Sequence, residues 1–203
     1  MLIPDGKSVF ELIIKKSHFI AETSPVESPE AARLMLKQRR LEHPDAAHVV
    51  HAFITGDDRQ YMGMSDDGEP SGTSGKPALE VLKGRGITNI MLTIVRYYGG
   101  TKLGTGGLVK AYSESAAGSL DRLKTRELIK YRAFTVSADY HFYQPLKAII
   151  IEHDCRINNE DFGTAVDIDG YVPVSQAEEF IEAVREASSA RAGIIVSSDI
   201  LQV

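Results

Sequence analysis

Two glycine-rich polar loops hold most of the side chains in this chain that could do chemistry. The first, Ser65-Asp-Asp-Gly-Glu-Pro-Ser-Gly-Thr-Ser-Gly-Lys-Pro77, carries Asp66, Asp67, Glu69, Ser71, Thr73, Ser74 and Lys76. The second runs from Arg96-Tyr-Tyr-Gly-Gly100 through Thr101-Lys-Leu-Gly-Thr-Gly-Gly107. It ends at the start of a predicted helix, where unpaired N–H groups and the helix dipole favour an anion. Arg96, Tyr98, Gly99, Gly100, Lys102, Gly104, Thr105, Gly106, Gly107 and Lys110 are therefore the candidate anion- or nucleic-acid-binding residues. The second loop is neither a Walker A site, lacking Gly-x-x-x-x-Gly-Lys-Ser/Thr, nor a dinucleotide fingerprint, whose third glycine would be misplaced. The plain structural alternative is a tight strand-to-helix connection.

The acidic loop offers carboxylates suited to a hard cation such as Mg²⁺, with Asp57 and Asp58 nearby. It lacks the EF-hand spacing, and Asp-Gly and Pro are also ordinary turn punctuation; the expectation is no metal. Lys76 begins the next helix and could reach a phosphate. His43, His48 and His51 invite a zinc reading, but His48 and His51 lie three apart on a predicted strand and point to opposite faces. His48 is kept as an auxiliary site residue beside the loops. Cys155 has no cysteine partner and no nucleophile motif, which fits a core thiol. Strand alternation leaves one of Tyr97 and Tyr98 free to stack on a base beside Arg96 and Lys102. No catalytic residue is assigned.

The elements that must position these groups can be read from pattern. Val9–Ile14 and Ser17–Thr23 predict two short strands in a hairpin or bent ribbon. Ser28-Pro29 starts a helix that runs to about Glu42. His48–Thr55 is a strand, and 56–76 is mostly loop. Pro77–Lys83 is a short helix, Ile90–Val95 a strand buried on both faces, and Gly106–Lys124 the longest helix. The polar stretch Lys124–Lys130 marks a junction, giving domains 1–130 and 131–203. The second domain predicts strand 132–140, helix 142–153, strands 156–161 and 164–173, helix 176–188 and strand 193–200. Ser175-Gln-Ala-Glu178 has the form of a capping box. This β-α-β-β-α-β order is the ferredoxin-like split unit, and the whole is α+β.

The chain has 203 residues, 43% of them hydrophobic, with no Trp and one Cys, which suits an aliphatic core and a reducing cytoplasm. No N-terminal signal or membrane-length apolar run is seen. Residues 1–130 carry 18 Lys and Arg against 16 Asp and Glu, while residues 131–203 carry 5 against 12. A phosphate backbone would be met by the first part and repelled by the second, whose acidity suits a protein partner.

The motifs Asp-Asp-Gly-Glu-Pro-Ser-Gly-Thr-Ser-Gly-Lys-Pro, Val-Arg-Tyr-Tyr-Gly-Gly and Leu-Gly-Thr-Gly-Gly-Leu-Val-Lys-Ala-Tyr resemble the signature of the YigZ/IMPACT family. The likeness begins at Lys15-Lys-Ser-His-Phe-Ile20, passes through His43-Pro-Asp-Ala-Ala-His48 and reaches into the C-terminal domain. The resemblance implies an N-terminal left-handed βαβ domain, of the kind shared with a ribosomal protein and GHMP-type kinases. It implies a C-terminal domain similar to domain V of elongation factor G. It also implies a non-enzymatic, translation-associated regulator that binds RNA, the ribosome or a translation factor. Two alternatives stay open: a phosphate- or nucleotide-binding enzyme related to GHMP-type kinases, and a protein–protein interaction module.

Overall fold

The computed structural model describes residues 1–201. The chain divides into two compact units, Met1–Glu127 and a second beginning at Leu128. In chain order the first contains β1 (Leu2–Pro4), β2 (Ser8–Ile14), β3 (Ser17–Pro25), α1 (Pro29–Glu42), β4 (His48–Thr55), β5 (Tyr61–Ser65), α2 (Gly75–Gly84), β6 (Ile90–Tyr97), α3 (Thr105–Leu120) and β7 (Thr125–Glu127). The boundary thus falls three residues before the expected one. The reason is β7, which pairs with β1 and ties the start of the polar junction into the first unit.

Five strands form one sheet in the order β2-β3-β6-β4-β5, every neighbouring pair antiparallel. Because β3 and β4 both run against β6, they are parallel to each other. With α1 they make a βαβ-type unit into which β6 is inserted. The Val, Ile and Leu residues of β6 bury both faces. Ile90, Leu92 and Ile94 face Phe19, Ala21, Val50, Ala52 and Ile54, beneath Ala78 and Leu82 of α2 and Leu108, Ala111, Tyr112 and Ala116 of α3. The opposite parity puts Met91 against Ala32 of α1 and Val26. Strand alternation therefore decides which side chains of β4 and β6 reach the α2–α3 face: even-numbered residues, including His48 and Arg96.

Ser28 caps α1 as expected, its hydroxyl accepting from Ala31 N at 3.1 Å. Three expectations need correction in this unit. Residues 61–65 are not loop but the edge strand β5. The helix expected at Pro77 begins at Gly75. The long helix ends at Leu120, four residues short of Lys124.

The second unit contains β8 (Tyr131–Ala138), α4 (Tyr143–Glu152), β9 (Arg156–Phe162), β10 (Val166–Pro173), α5 (Ala177–Ala187) and β11 (Gly193–Val196). Its sheet, in the order β11-β8-β10-β9, is fully antiparallel and has the expected β-α-β-β-α-β chain order. Phe134, Val136 and Ile168 pack with Leu146, Ile150, Phe180 and Val184 in a separate core. The capping box at Ser175 does not form. A single 3-10 turn, Val174–Gln176, precedes α5, so Ser175 sits inside a turn rather than at the extended cap position the motif needs.

Candidate anion-binding site

Arg96 lies near the end of β6, opposite Phe19 on one neighbouring strand and His48 on the other. These three side chains share the α2–α3 face where the aliphatic core stops. Beyond them the chain turns through Gly99, whose N–H donates to Ser17 Oγ at 3.1 Å. A Cβ at Gly99 would stand 2.0 Å from the Lys16 carbonyl carbon, so only glycine lets the loop cross the β2–β3 turn. The loop then enters α3 at Gly104, whose φ of +76° belongs to the left-handed region.

The result is a cavity of about 500 Å³ lined by His48, Glu69, Pro70, Arg96, Tyr98, Lys102, Leu103, Gly104, Thr105 and Leu108. The cavity joins the two loops singled out in the sequence. At its mouth, α3 begins without a side-chain cap. The first helical hydrogen bond is Leu108 N to Gly104 O, so the amides of Thr105, Gly106 and Gly107 precede it. Lys102 is an exposed cation on the wall, and Tyr98 is half exposed beside it.

The floor differs from expectation. Arg96 is only 5% exposed and is not a free cation awaiting phosphate. Its Nη1 donates to Glu69 Oε1 at 2.6 Å, and the Tyr112 hydroxyl donates to the same oxygen at 2.7 Å. Its guanidinium lies 5.4 Å from the Phe19 ring centroid and 5.5 Å from that of Tyr98. Burial, and then the hydrogen bond to Glu69, push the Tyr112 phenol far above its ordinary range, so it stays a donor. Arg96 thus neutralises the floor and supports the Tyr98 ring. Tyr112 was missed as a site residue. In the sequence it is one apolar position on a helical face, with nothing to mark its polar tip.

The acidic loop holds itself together. Asp66 accepts from Gly72 N at 2.8 Å, Ser74 N at 3.1 Å, Ser74 Oγ at 2.7 Å and Gly75 N at 2.8 Å. Burial opposes its ionisation, but the bonds from Gly72, Ser74 and Gly75 outweigh this and hold the carboxyl below its ordinary value. Asp66 is in effect the missing cap of α2. Asp67 accepts from Val49 N and Arg40, and Thr73 donates to Pro70 O. Asp66, Asp67 and Glu69 thus already accept hydrogen bonds from the protein, and among the described residues no three His, Cys, Asp or Glu gather as a metal site. The first loop therefore carries its own anion at its helix start, whereas the second presents its helix start to a cavity.

Other expected residues lie elsewhere. Lys110 is exposed and 3.7 Å from Glu114, one turn further along α3. Lys76 borders a separate groove with Gly72, Pro77, Glu80, Val81, Val109 and Ser113. Ser71 is exposed and outside the cavity lining. His43 meets the Tyr97 hydroxyl at 2.8 Å, which leaves Tyr98 as the available ring. His51 is on the α1 side of the sheet; burial, aided by Arg40, lowers its pKa. The three histidines do not converge. Burial, with the Asp154 charge, pushes the Cys155 thiol up to about 12, and the side chain packs against the second core. Among the described residues no helix is long and apolar enough to cross a membrane.

Known proteins share this architecture. The model of the Impact N-terminal domain matches residues 15–120, and that of a domain of unknown function (DUF1949) matches residues 136–191. IMPACT family member YigZ of Escherichia coli is 40% identical over 88% of this chain and 89% of its own. IMPACT family member YvyE of Bacillus subtilis is 32% identical over 91% of this chain and 85% of its own. A crystal structure titled only as a hypothetical protein superposes with a TM-score of 0.68 at 36% identity, covering 98% of this chain and 97% of that one. Both matched domains fall within the two units of the fold, and the chain belongs to the IMPACT family.

Proposed function

We propose that this chain is a non-enzymatic, translation-associated regulator whose first unit binds RNA, alone or on the ribosome. The observation that carries the reading is the cavity in which Tyr98, Lys102 and the uncapped start of α3 meet. A phosphate seated on the Thr105–Gly107 amides would place the adjoining base within reach of an aromatic face backed by Arg96. Stacking on such a face contributes about 1–3 kcal/mol per base. The acidic second unit would meet a protein partner rather than phosphate; Asp161 and Asp167 are direct cross-strand neighbours in its sheet.

The test is binding of a labelled single-stranded RNA over a salt series. Affinity should fall as salt rises, since cations that neutralise phosphates release counterions. Lys102→Glu should weaken binding about tenfold or more at low salt and flatten the salt slope. Tyr98→Ala should weaken it about 5- to 150-fold with little effect on the slope. Salt-independent affinity, or unchanged binding in both variants, would reject the reading.

One observation favours a second reading. The cavity volume of about 500 Å³ is within the usual range for small-molecule sites, roughly 300–1,000 Å³. It would suit a phosphorylated metabolite or nucleotide, as in an enzyme related to GHMP-type kinases. Thermal shift against a nucleotide panel, with and without Mg²⁺, separates the two, because a nucleotide that binds the folded state raises Tm.

A further inference from the structure

His48 adds a polarity to the cavity that the phosphate end does not explain. Its Nδ1 lies 2.7 Å from the backbone carbonyl oxygen of Asp67. A carbonyl can only accept, so Nδ1 must carry the proton. In the neutral imidazole Nε2 is then a bare acceptor. That nitrogen stands 3.8 Å from Glu69 Oε1, on the cavity wall. Glu69 Oε1 is itself an acceptor, already filled by Arg96 and Tyr112.

With Glu69 Oε1 already supplied with donors, the acceptor Nε2 offers a phosphate no hydrogen and calls for a donor. The cavity therefore has an anion-seeking end, at Lys102 and the α3 amides, and a donor-seeking end at His48. Tyr98 supplies an aromatic wall. This arrangement rests on the phosphate reading above and goes beyond it. We infer that His48 Nε2 reads a ligand hydroxyl, and that the ligand is a phosphorylated ribose unit whose 2′-hydroxyl donates to it. The 2′-hydroxyl is the group that distinguishes RNA from DNA at a given contact. A deoxyribose would leave Nε2 facing an apolar CH₂. The selection for ribose is thus built into the imidazole tautomer, which the acidic loop fixes through Asp67.

The experiment compares one sequence as RNA, DNA and 2′-O-methyl RNA with the wild-type chain at about pH 8, above the ordinary imidazole range. RNA should bind at least about tenfold tighter than either of the others, the order expected when a bound sugar buries Nε2 and leaves it unpaired. His48→Phe removes the acceptor and should collapse the three affinities to within about twofold. The ligand series needs no mutant, so a folding defect in that variant leaves the test intact. Ribose 5-phosphate against 2-deoxyribose 5-phosphate, by thermal shift, forms the second arm. Ribose selectivity there with no oligonucleotide binding supports the inference for a free sugar phosphate and rejects the RNA reading. RNA bound no better than DNA or 2′-O-methyl RNA overturns the inference and leaves RNA binding standing. No binding by any oligonucleotide or sugar phosphate overturns both.

Discussion

Glu69 is the residue on which the candidate site turns. It is 27 positions from Arg96 and 43 from Tyr112, and both donate to its Oε1. Breaking one partner of a buried pair leaves an uncompensated charge, which typically costs about 3–5 kcal/mol. Glu69→Gln and Arg96→Glu should therefore destabilise the first unit by about that much in urea denaturation. Tyr112→Phe loses one hydrogen bond to a charged group and should cost about 1.5–3 kcal/mol. Lys102→Glu, at an exposed position, should be nearly silent in the same assay. Loss of binding in an Arg96 variant would consequently report unfolding, and Lys102 is the discriminating position. The sequence revealed which residue types cluster here but not their pairing. Arg96 beside a tyrosine pair and a glycine loop has the pattern of a free phosphate ligand. Only the register of β6 against β3 and β4 shows that its side chain turns inward.

At the scale of elements, the two glycine-rich loops begin two helices by opposite means. α2 has its N-terminal amides closed by Asp66, nine residues before Gly75. Asp66→Ala removes a charged cap and the bond to Gly72 together, and should cost about 2–3 kcal/mol. The pH dependence has a definite sign. The folded carboxyl of Asp66 lies below its ordinary value, so its contribution is full above about pH 4 and is lost as pH falls through the folded pKa. His43 and His51 are also lowered in the fold, chiefly by burial. The unfolded chain then binds more protons, so stability drops as pH falls below about 6.5. Wild type should lose stability in two stages, first below about pH 6.5 and again below about pH 4, with the second stage diminished in Asp66→Ala. A flat profile from pH 7 to 3 would contradict this. The helix pattern and the Ser28 cap were legible because their determinants are local. β5 was not. Its residues, Tyr-Met-Gly-Met-Ser, lack a β-branched run, and Gly63 leaves its place to the Phe53 ring, which lies 2.4 Å from where a Cβ would stand. The capping box at Ser175 failed for a related reason: the turn entering α5 is set by Val174 N bonding Lys130 O, a contact distant in sequence.

Over the whole molecule, two cores and two charge balances coexist in one chain. The first unit closes its sheet between α1 and the α2–α3 pair; the second buries Phe134, Leu146, Ile150, Phe180 and Val184 under α4 and α5. Length, charge contrast and element order were enough to foresee this division, since each depends on runs of many residues. The exact boundary was not, because the β1–β7 ladder joins segments more than 120 residues apart. Separate cores imply separable stability. Phe180 is fully buried, and Phe180→Ala should cost the second unit about 3–5 kcal/mol through lost burial and the cavity left behind. The cavity lined by His48, Tyr98 and Lys102 belongs entirely to the first unit. In Phe180→Ala, urea unfolding should therefore resolve into two transitions, the earlier one lacking protection in residues 131–196 by hydrogen exchange. Salt-dependent RNA binding should persist between the two midpoints. A single transition that moves as a whole, or RNA binding lost with the second unit, would show that the proposed binding draws on both halves of the chain.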